Sequence, residues 1–212
     1  MSLNSEESEY LRKLVRDYTG IVIEAGKDYL LESRLQPLVR TENLGSLSGL
    51  VARLRAEPLQ VSALHQKVTE AMTTNETSFF RDLHPFEALR TQVLPALIER
   101  RSATRTLHIW CAASSTGQEP YSIAMLLREH FPMLAGWTVK ILATDIAPSV
   151  LAQAKEGRYT QLEVNRGLPA RLLARYFEKQ GVEWRLKDDI RALVEFRQMN
   201  LVGAWPQLPV MV

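Results

Sequence analysis

The chain has 212 residues, with 26 Lys and Arg against 24 Asp and Glu and a formal net charge of +2. That length buries a substantial core and holds one large domain or two small ones, while a near-neutral charge gives no global pull toward nucleic acid. No stretch reaches the roughly 18 to 20 unbroken apolar residues of a membrane span, and the opening MSLNSEESEYLRK is too acidic and polar for a secretory signal, so a cytoplasmic location without membrane insertion is expected.

Cys111 is the sole cysteine, which excludes an internal disulfide framework and fits a reducing compartment. His65, His84, His108 and His130 lie far apart and no pair has metal-ligand spacing, so no metal site is expected.

From residue 5 to about 72 the pattern is helical throughout. Tyr10, Leu11, Leu14, Val15 and Tyr18 recur at helical spacing, as do Leu47, Leu50, Val51 and Leu54, with YTGIVI and ENLGS as punctuation. About four segments result, predicting a small helical domain over residues 1–75. The boundary falls near TTNETSFFRD, where polar residues are set against two phenylalanines. HPFEALRTQVLPALIERR then predicts a helix that Pro95 kinks or breaks.

After that helix the pattern changes. TLHIWCA, WTVKILATD and ALVEFRQMN are short runs rich in β-branched and aromatic residues, separated by helical text, which predicts a parallel sheet with crossover helices over 76–212. PARLLARYFEKQG, before the third run, reads as a helix closed by Gly181.

The stretch WCAASSTGQEPYSIAML joins the first of these strands to a helix. Ligands of open parallel sheets bind at such strand ends, and Ala112, Ala113, Ser114, Ser115 and Gly117 have little bulk, so backbone and ligand can approach closely. Pro120 suits the first turn of the following helix. One glycine falls short of a pyrophosphate fingerprint, and Glu119 puts negative charge where a pyrophosphate would lie, which argues against NAD, FAD and nucleoside triphosphates. A cationic ligand suits that carboxylate better. Asp145, at the end of the second strand in ILATDIAP, is placed to accept hydrogen bonds from both hydroxyls of an adenosine ribose. The two acids together describe an adenosine bearing a positive group, S-adenosylmethionine. Taken singly, a glutamate such as Glu119 at a helix start is more often a partner of the helix dipole than a ligand contact, and Asp145 is as readily a cap of the next helix as a ribose contact. The arginines of IERRSATR read as dipole partners and solubilising charge, with no stacking aromatics for nucleic acid.

TTNETSFFRD, WCAASSTGQEPYSIAM, ILATDIAPSVLAQAKEGRY and FRQMNL together resemble the CheR family of chemoreceptor glutamate methyltransferases, in order and separation. The resemblance implies an all-α N-terminal domain followed by a Rossmann-like S-adenosylmethionine-dependent methyltransferase domain. It implies a protein-glutamate O-methyltransferase of chemotaxis adaptation, with S-adenosylmethionine as donor, S-adenosylhomocysteine as product and the cytoplasmic helical region of a chemoreceptor as partner. By motif it places Asn75, Thr77 and Arg81 against the cofactor, with Arg81 at the reacting end as the catalytic candidate, and falls again on Glu119 and Asp145. Asn200 and Leu201 would border the adenine. The acidic receptor would be steered by a basic face of the helical domain, for which Arg34, Arg40, Arg53 and Arg55 are candidates.

The family pattern continues through an aspartate into another strand and an RNVLIYF-like motif, whereas this sequence ends WPQLPVMV, with Val212 where that strand would begin. The expectation is therefore a partial methyltransferase domain with an exposed sheet edge. The alternative function is a non-catalytic signalling module that binds S-adenosylmethionine or S-adenosylhomocysteine and acts through protein partners, a regulatory protein among them.

Overall fold

A computed structural model describes residues 3–57 and 62–208. Residues 209–212, on which the expected interruption of the domain rests, lie outside the described residues. The chain divides into two compact units: Met1–Thr74 with Asn200–Trp205, and Asn75–Met199 with Pro206–Val212.

The first unit is built from α1 (Ser5–Thr19), α2 (Asp28–Thr41), α3 (Leu47–Ala56) and α4 (Ala63–Met72). Three of these helices start at a side-chain cap. Asn4 and Glu7 form a reciprocal capping box at α1, with bonds of 2.8 and 3.0 Å, and Gly20 closes the helix at φ +75°. The hydroxyls of Ser46 and Ser62 cap α3 and α4. Apolar residues three and four apart then meet in one core, among them Leu11, Leu14 and Val15 of α1 and Leu31, Leu35, Leu38 and Val39 of α2. Arg34 donates to Met72 O at 2.6 Å and Thr74 Oγ1 at 2.9 Å, which satisfies an orphan carbonyl at the end of α4. Asn200 does the same for α1, its Nδ2 donating to Tyr18 O at 2.7 Å.

In the second unit the first helical stretch runs on through a π turn just before Pro95 rather than breaking there. It runs as α5 (Leu83–Ala88), a π turn (Leu89–Val93) and α6 (Leu94–Arg100). Pro95 has no N–H to donate, and the wider turn carries the chain past it, with Leu94 N bonding Leu89 O.

The parallel sheet follows: β1 (Thr106–Ala112), α7 (Gln118–His130), β2 (Thr138–Asp145), α8 (Pro148–Glu156) and, after a small insert, β6 (Val194–Gln198). Its order is β1-β2-β6. Leu107, Ile109 and Cys111 alternate inward along β1, and Ile141 to Asp145 of β2 are all buried, as the central strand's position demands. The insert contains β3 (Arg158–Thr160), α9 (Gln161–Asn165), α10 (Ala170–Tyr176), β4 (Phe177–Gln180), β5 (Glu183–Leu186) and α11 (Asp188–Arg191), and its strands form a second, antiparallel sheet ordered β3-β5-β4. The helix expected to run as far as Gly181 therefore stops at Tyr176, and the chain turns outward as a hairpin strand. Phe177 is drawn into the core, where its ring meets Phe79 edge-on at 5.7 Å, and Gly181 turns the hairpin at φ +65°.

Among the described residues no helix is long and apolar enough to cross a membrane.

Candidate functional site

The register of the parallel sheet positions the site. Ala112 of β1 pairs with Thr144 of β2, so Asp145 stands one residue beyond the end of β1, beside the loop at 113–117. Ser114 N extends the ladder by bonding Thr144 O at 2.9 Å. The loop then alternates into the left-handed region, with φ of +56° at Ala113, +49° at Ser115 and +91° at Gly117. Non-glycine residues hold that conformation only where their surroundings over-determine it.

Asp145 is what over-determines it. Its buried carboxylate accepts from Ser115 N at 2.8 Å through Oδ2 and from Ala147 N at 3.0 Å through Oδ1. One side chain thus holds both the β1–α7 loop and the start of α8. Its bond to Ala147 N closes a turn just before α8 and reaches no N–H inside that helix, so Asp145 is not the helix's side-chain cap. It leaves acceptor capacity, since an ionised carboxylate offers about four lone-pair sites and two are used among the described residues. Ser115 carries the network on: its Oγ donates to Asn75 O at 2.8 Å. Asn75, Ser115 and Asp145 are brought together in this way.

The segment after Asn75 is pinned independently. Phe79 is fully buried, its ring 4.9 Å from Tyr159, and Phe80 N donates to Ser122 Oγ at 3.0 Å. Phe80 and Asp82 have φ of +48° and +58°, turning the chain into α5. Thr77 is half-buried, and Arg81 is exposed, with one guanidinium nitrogen donating to Glu76 O at 2.8 Å. Glu76 in turn pairs with Arg166 at 2.8 Å, which holds its carboxyl below the usual range.

Glu119 lies exposed in the first turn of α7, where its charge complements the helix dipole. It also lies against Cys111 at the end of β1. Burial pushes the Cys111 thiol far up, and the nearby Glu119 carboxylate adds to the shift by repelling a thiolate and accepting from the S–H. The thiol is a packed group without nucleophilic character.

Gly117 also meets a packing requirement. A Cβ there would lie 3.1 Å from Ala154, 3.2 Å from Tyr121 and 3.3 Å from Phe196, so the absent side chain faces packed neighbours in α8, α7 and β6. Alongside φ +91°, that contact is what requires glycine.

Asn200 and Leu201 fall in the other unit. Asn200 spends its amide on Tyr18 O and on Val202 N, at 2.7 and 3.0 Å, and Leu201 is 42% exposed. Of the proposed docking arginines, Arg34 is committed to α4. Arg53 pairs with Glu57 at 2.7 Å, and Arg55 pairs with Glu6 at 2.9 Å while covering the Tyr10 ring.

Two family patterns cover this architecture. The one described as "CheR methyltransferase, all-alpha domain" matches residues 6–73, and "CheR methyltransferase, SAM binding domain" matches residues 75–211. The chain belongs to the CheR methyltransferase family. It is 42% identical to "Chemotaxis protein methyltransferase 1" of Pseudomonas aeruginosa over 98% of its own length and 76% of that protein's. It is 39% identical to "Chemotaxis protein methyltransferase Cher2" of Pseudomonas putida, with the same shares covered, and 32% identical to the "Chemotaxis protein methyltransferase" of Borreliella burgdorferi over 95% of this chain and 72% of that one. The fold is therefore an all-α CheR domain followed by an α/β S-adenosylmethionine-binding domain, and the methyl donor of this family is S-adenosylmethionine.

Sequence reasoning missed Ser115 as more than a small residue. Its contribution comes through a backbone N–H and a hydroxyl aimed by a left-handed φ, and nothing in the letters SST announces that conformation.

Proposed function

We propose that this chain transfers the methyl group of S-adenosylmethionine to glutamate side chains on the cytoplasmic helical region of a chemoreceptor, as a cytoplasmic protein-glutamate O-methyltransferase. The observation that carries the reading is Asp145. Its carboxylate is buried, fixed by two backbone N–H groups, and still holds lone pairs for two ribose hydroxyls at the carboxyl edge of a parallel sheet.

When bound, the cofactor supplies an electrophilic methyl group on a sulfonium. Asp145 orients the sugar, and Glu119 places negative charge at the first turn of α7 for the onium centre. Asn75 and Thr77 line the approach from the pinned segment, and Arg81 faces the substrate carboxylate with the guanidinium nitrogens that Glu76 leaves over. No base is needed, because a glutamate with a pKa of about 4.3 is ionised at neutral pH. A carboxylate oxygen forms a bond to the methyl carbon as the carbon–sulfur bond breaks and its electron pair stays on sulfur, so no proton moves. Holding those three atoms in line supplies several kcal/mol, of order 7 to 11 in ideal cases. Opposite charges are annihilated on the way to neutral ester and thioether, so a partly dry site favours the transition state.

The test is incubation with methyl-labelled S-adenosylmethionine and a receptor cytoplasmic region. Label in a base-labile ester, released as methanol, is the expected outcome. Binding of S-adenosylhomocysteine without transfer would replace this reading with the non-catalytic module, and absence of both would overturn it.

A further inference from the structure

We propose that Ser115 is a positioning residue for the cofactor site, holding the Asp145 carboxylate in its ribose-accepting plane by bracing the loop against the backbone of Asn75. The inference rests on the reading of Asp145 given above and deepens it.

A carboxylate held by one hydrogen bond can pivot about its Cβ–Cγ bond, whereas a second donor on the other oxygen fixes its plane. Ala147 N supplies the first and Ser115 N the second, at 3.0 and 2.8 Å. The Ser115 N–H points at Asp145 only while residue 115 stays at φ +49°, a conformation an L side chain leaves readily for the β or α region. The serine hydroxyl opposes that relaxation by donating to Asn75 O at 2.8 Å. Its acceptor is a backbone oxygen in a segment already fixed by the buried Phe79 and by Phe80 N on Ser122, so the brace ends on a rigid point. Ser115 itself is 7% exposed, which leaves little water to replace the bond if the hydroxyl is removed.

Two substitutions separate the hydroxyl from the backbone requirement. Ser115→Gly accepts a positive φ without strain and lacks the hydroxyl; Ser115→Ala lacks the hydroxyl and keeps the strain. With S-adenosylhomocysteine as the titrant in calorimetry, both variants of the 212-residue chain are expected to bind about three- to tenfold more weakly than the parent. The thermal midpoint of Ser115→Gly should not fall below that of Ser115→Ala. Parent-like affinity in Ser115→Gly would overturn the inference, because glycine would then have met everything position 115 requires. Asp145→Asn, titrated in parallel, distinguishes the two levels. If it binds as the parent does, or the parent does not bind at all, the ribose reading fails and this inference with it. If it binds poorly while both Ser115 variants bind normally, only the role of Ser115 falls.

Discussion

The carbonyl oxygen of Phe79 occupies the space a side chain at position 167 would need: a Cβ built on Gly167 would lie 2.0 Å from it. Gly167 also has φ +84°, so conformation and contact demand glycine together. Phe79 is the anchor that fixes the segment carrying Asn75, Thr77 and Arg81, and its ring packs on Tyr159 and Phe177. Gly167→Ala must push that backbone away or unwind the 165–169 turn. A loss of about 4 kcal/mol or more is expected, at the exceptional end for one substitution, and denaturant melts of the variant measure it. A loss below about 1 kcal/mol would mean the carbonyl moves aside freely.

Asp145→Asn changes one atom of the network and breaks it in a defined way. An amide can accept through its oxygen from Ser115 N or Ala147 N, but its NH2 group then faces the other N–H, donor against donor. A charge-assisted bond worth about 1.5 to 3 kcal/mol is lost, and a melt should register most of it. S-adenosylhomocysteine affinity is expected to fall by more than about tenfold, since the remaining acceptor capacity is what the ribose would use. A destabilised variant with undiminished affinity would show that Asp145 only braces the loop and the turn before α8.

The parallel strands were legible because burial on both faces leaves short apolar runs such as ILA at 141–143, in stretches rich in β-branched residues and set between helical ones. The antiparallel insert was not. RYT, FEKQ and EWRL are three or four residues long and rich in Glu, Lys, Gln and Arg, all good helix formers. They pair because Tyr159 and Phe177 are drawn to Phe79, a tertiary cause that no local period records. Gly117 shows the same limit: its place in the loop does not announce the neighbours from three separate elements that a side chain there would meet.

Cys111 should be chemically silent in the native chain. It is 2% exposed and its thiolate is opposed by burial first and by the Glu119 carboxylate second. A thiol reagent at mildly alkaline pH is expected to modify it only through opening of the second unit, at a rate that rises with denaturant, while the unfolded chain reacts at once. Full modification of the native protein at the unfolded rate would contradict the burial described for β1.

His65 gives the helical unit a pH dependence of stated sign. It is buried in α4 with neither ring nitrogen hydrogen-bonded among the described residues. Burial lowers its pKa, opposed by the nearby Glu57 carboxylate, whose own pKa is held down by Ser62 and Arg53. Because the folded-state pKa lies below the ordinary value of about 6.5, the unfolded chain binds the proton more readily between the two values. Stability is therefore complete above about 6.5 and is lost as pH falls through that window. Amide exchange in α4, followed from about pH 8 to about pH 5 with correction for intrinsic rates, should show protection falling in the parent. The His65→Leu variant, which has no proton to gain, should keep its protection over the same range. Equal slopes for the two proteins would assign the pH dependence to other groups.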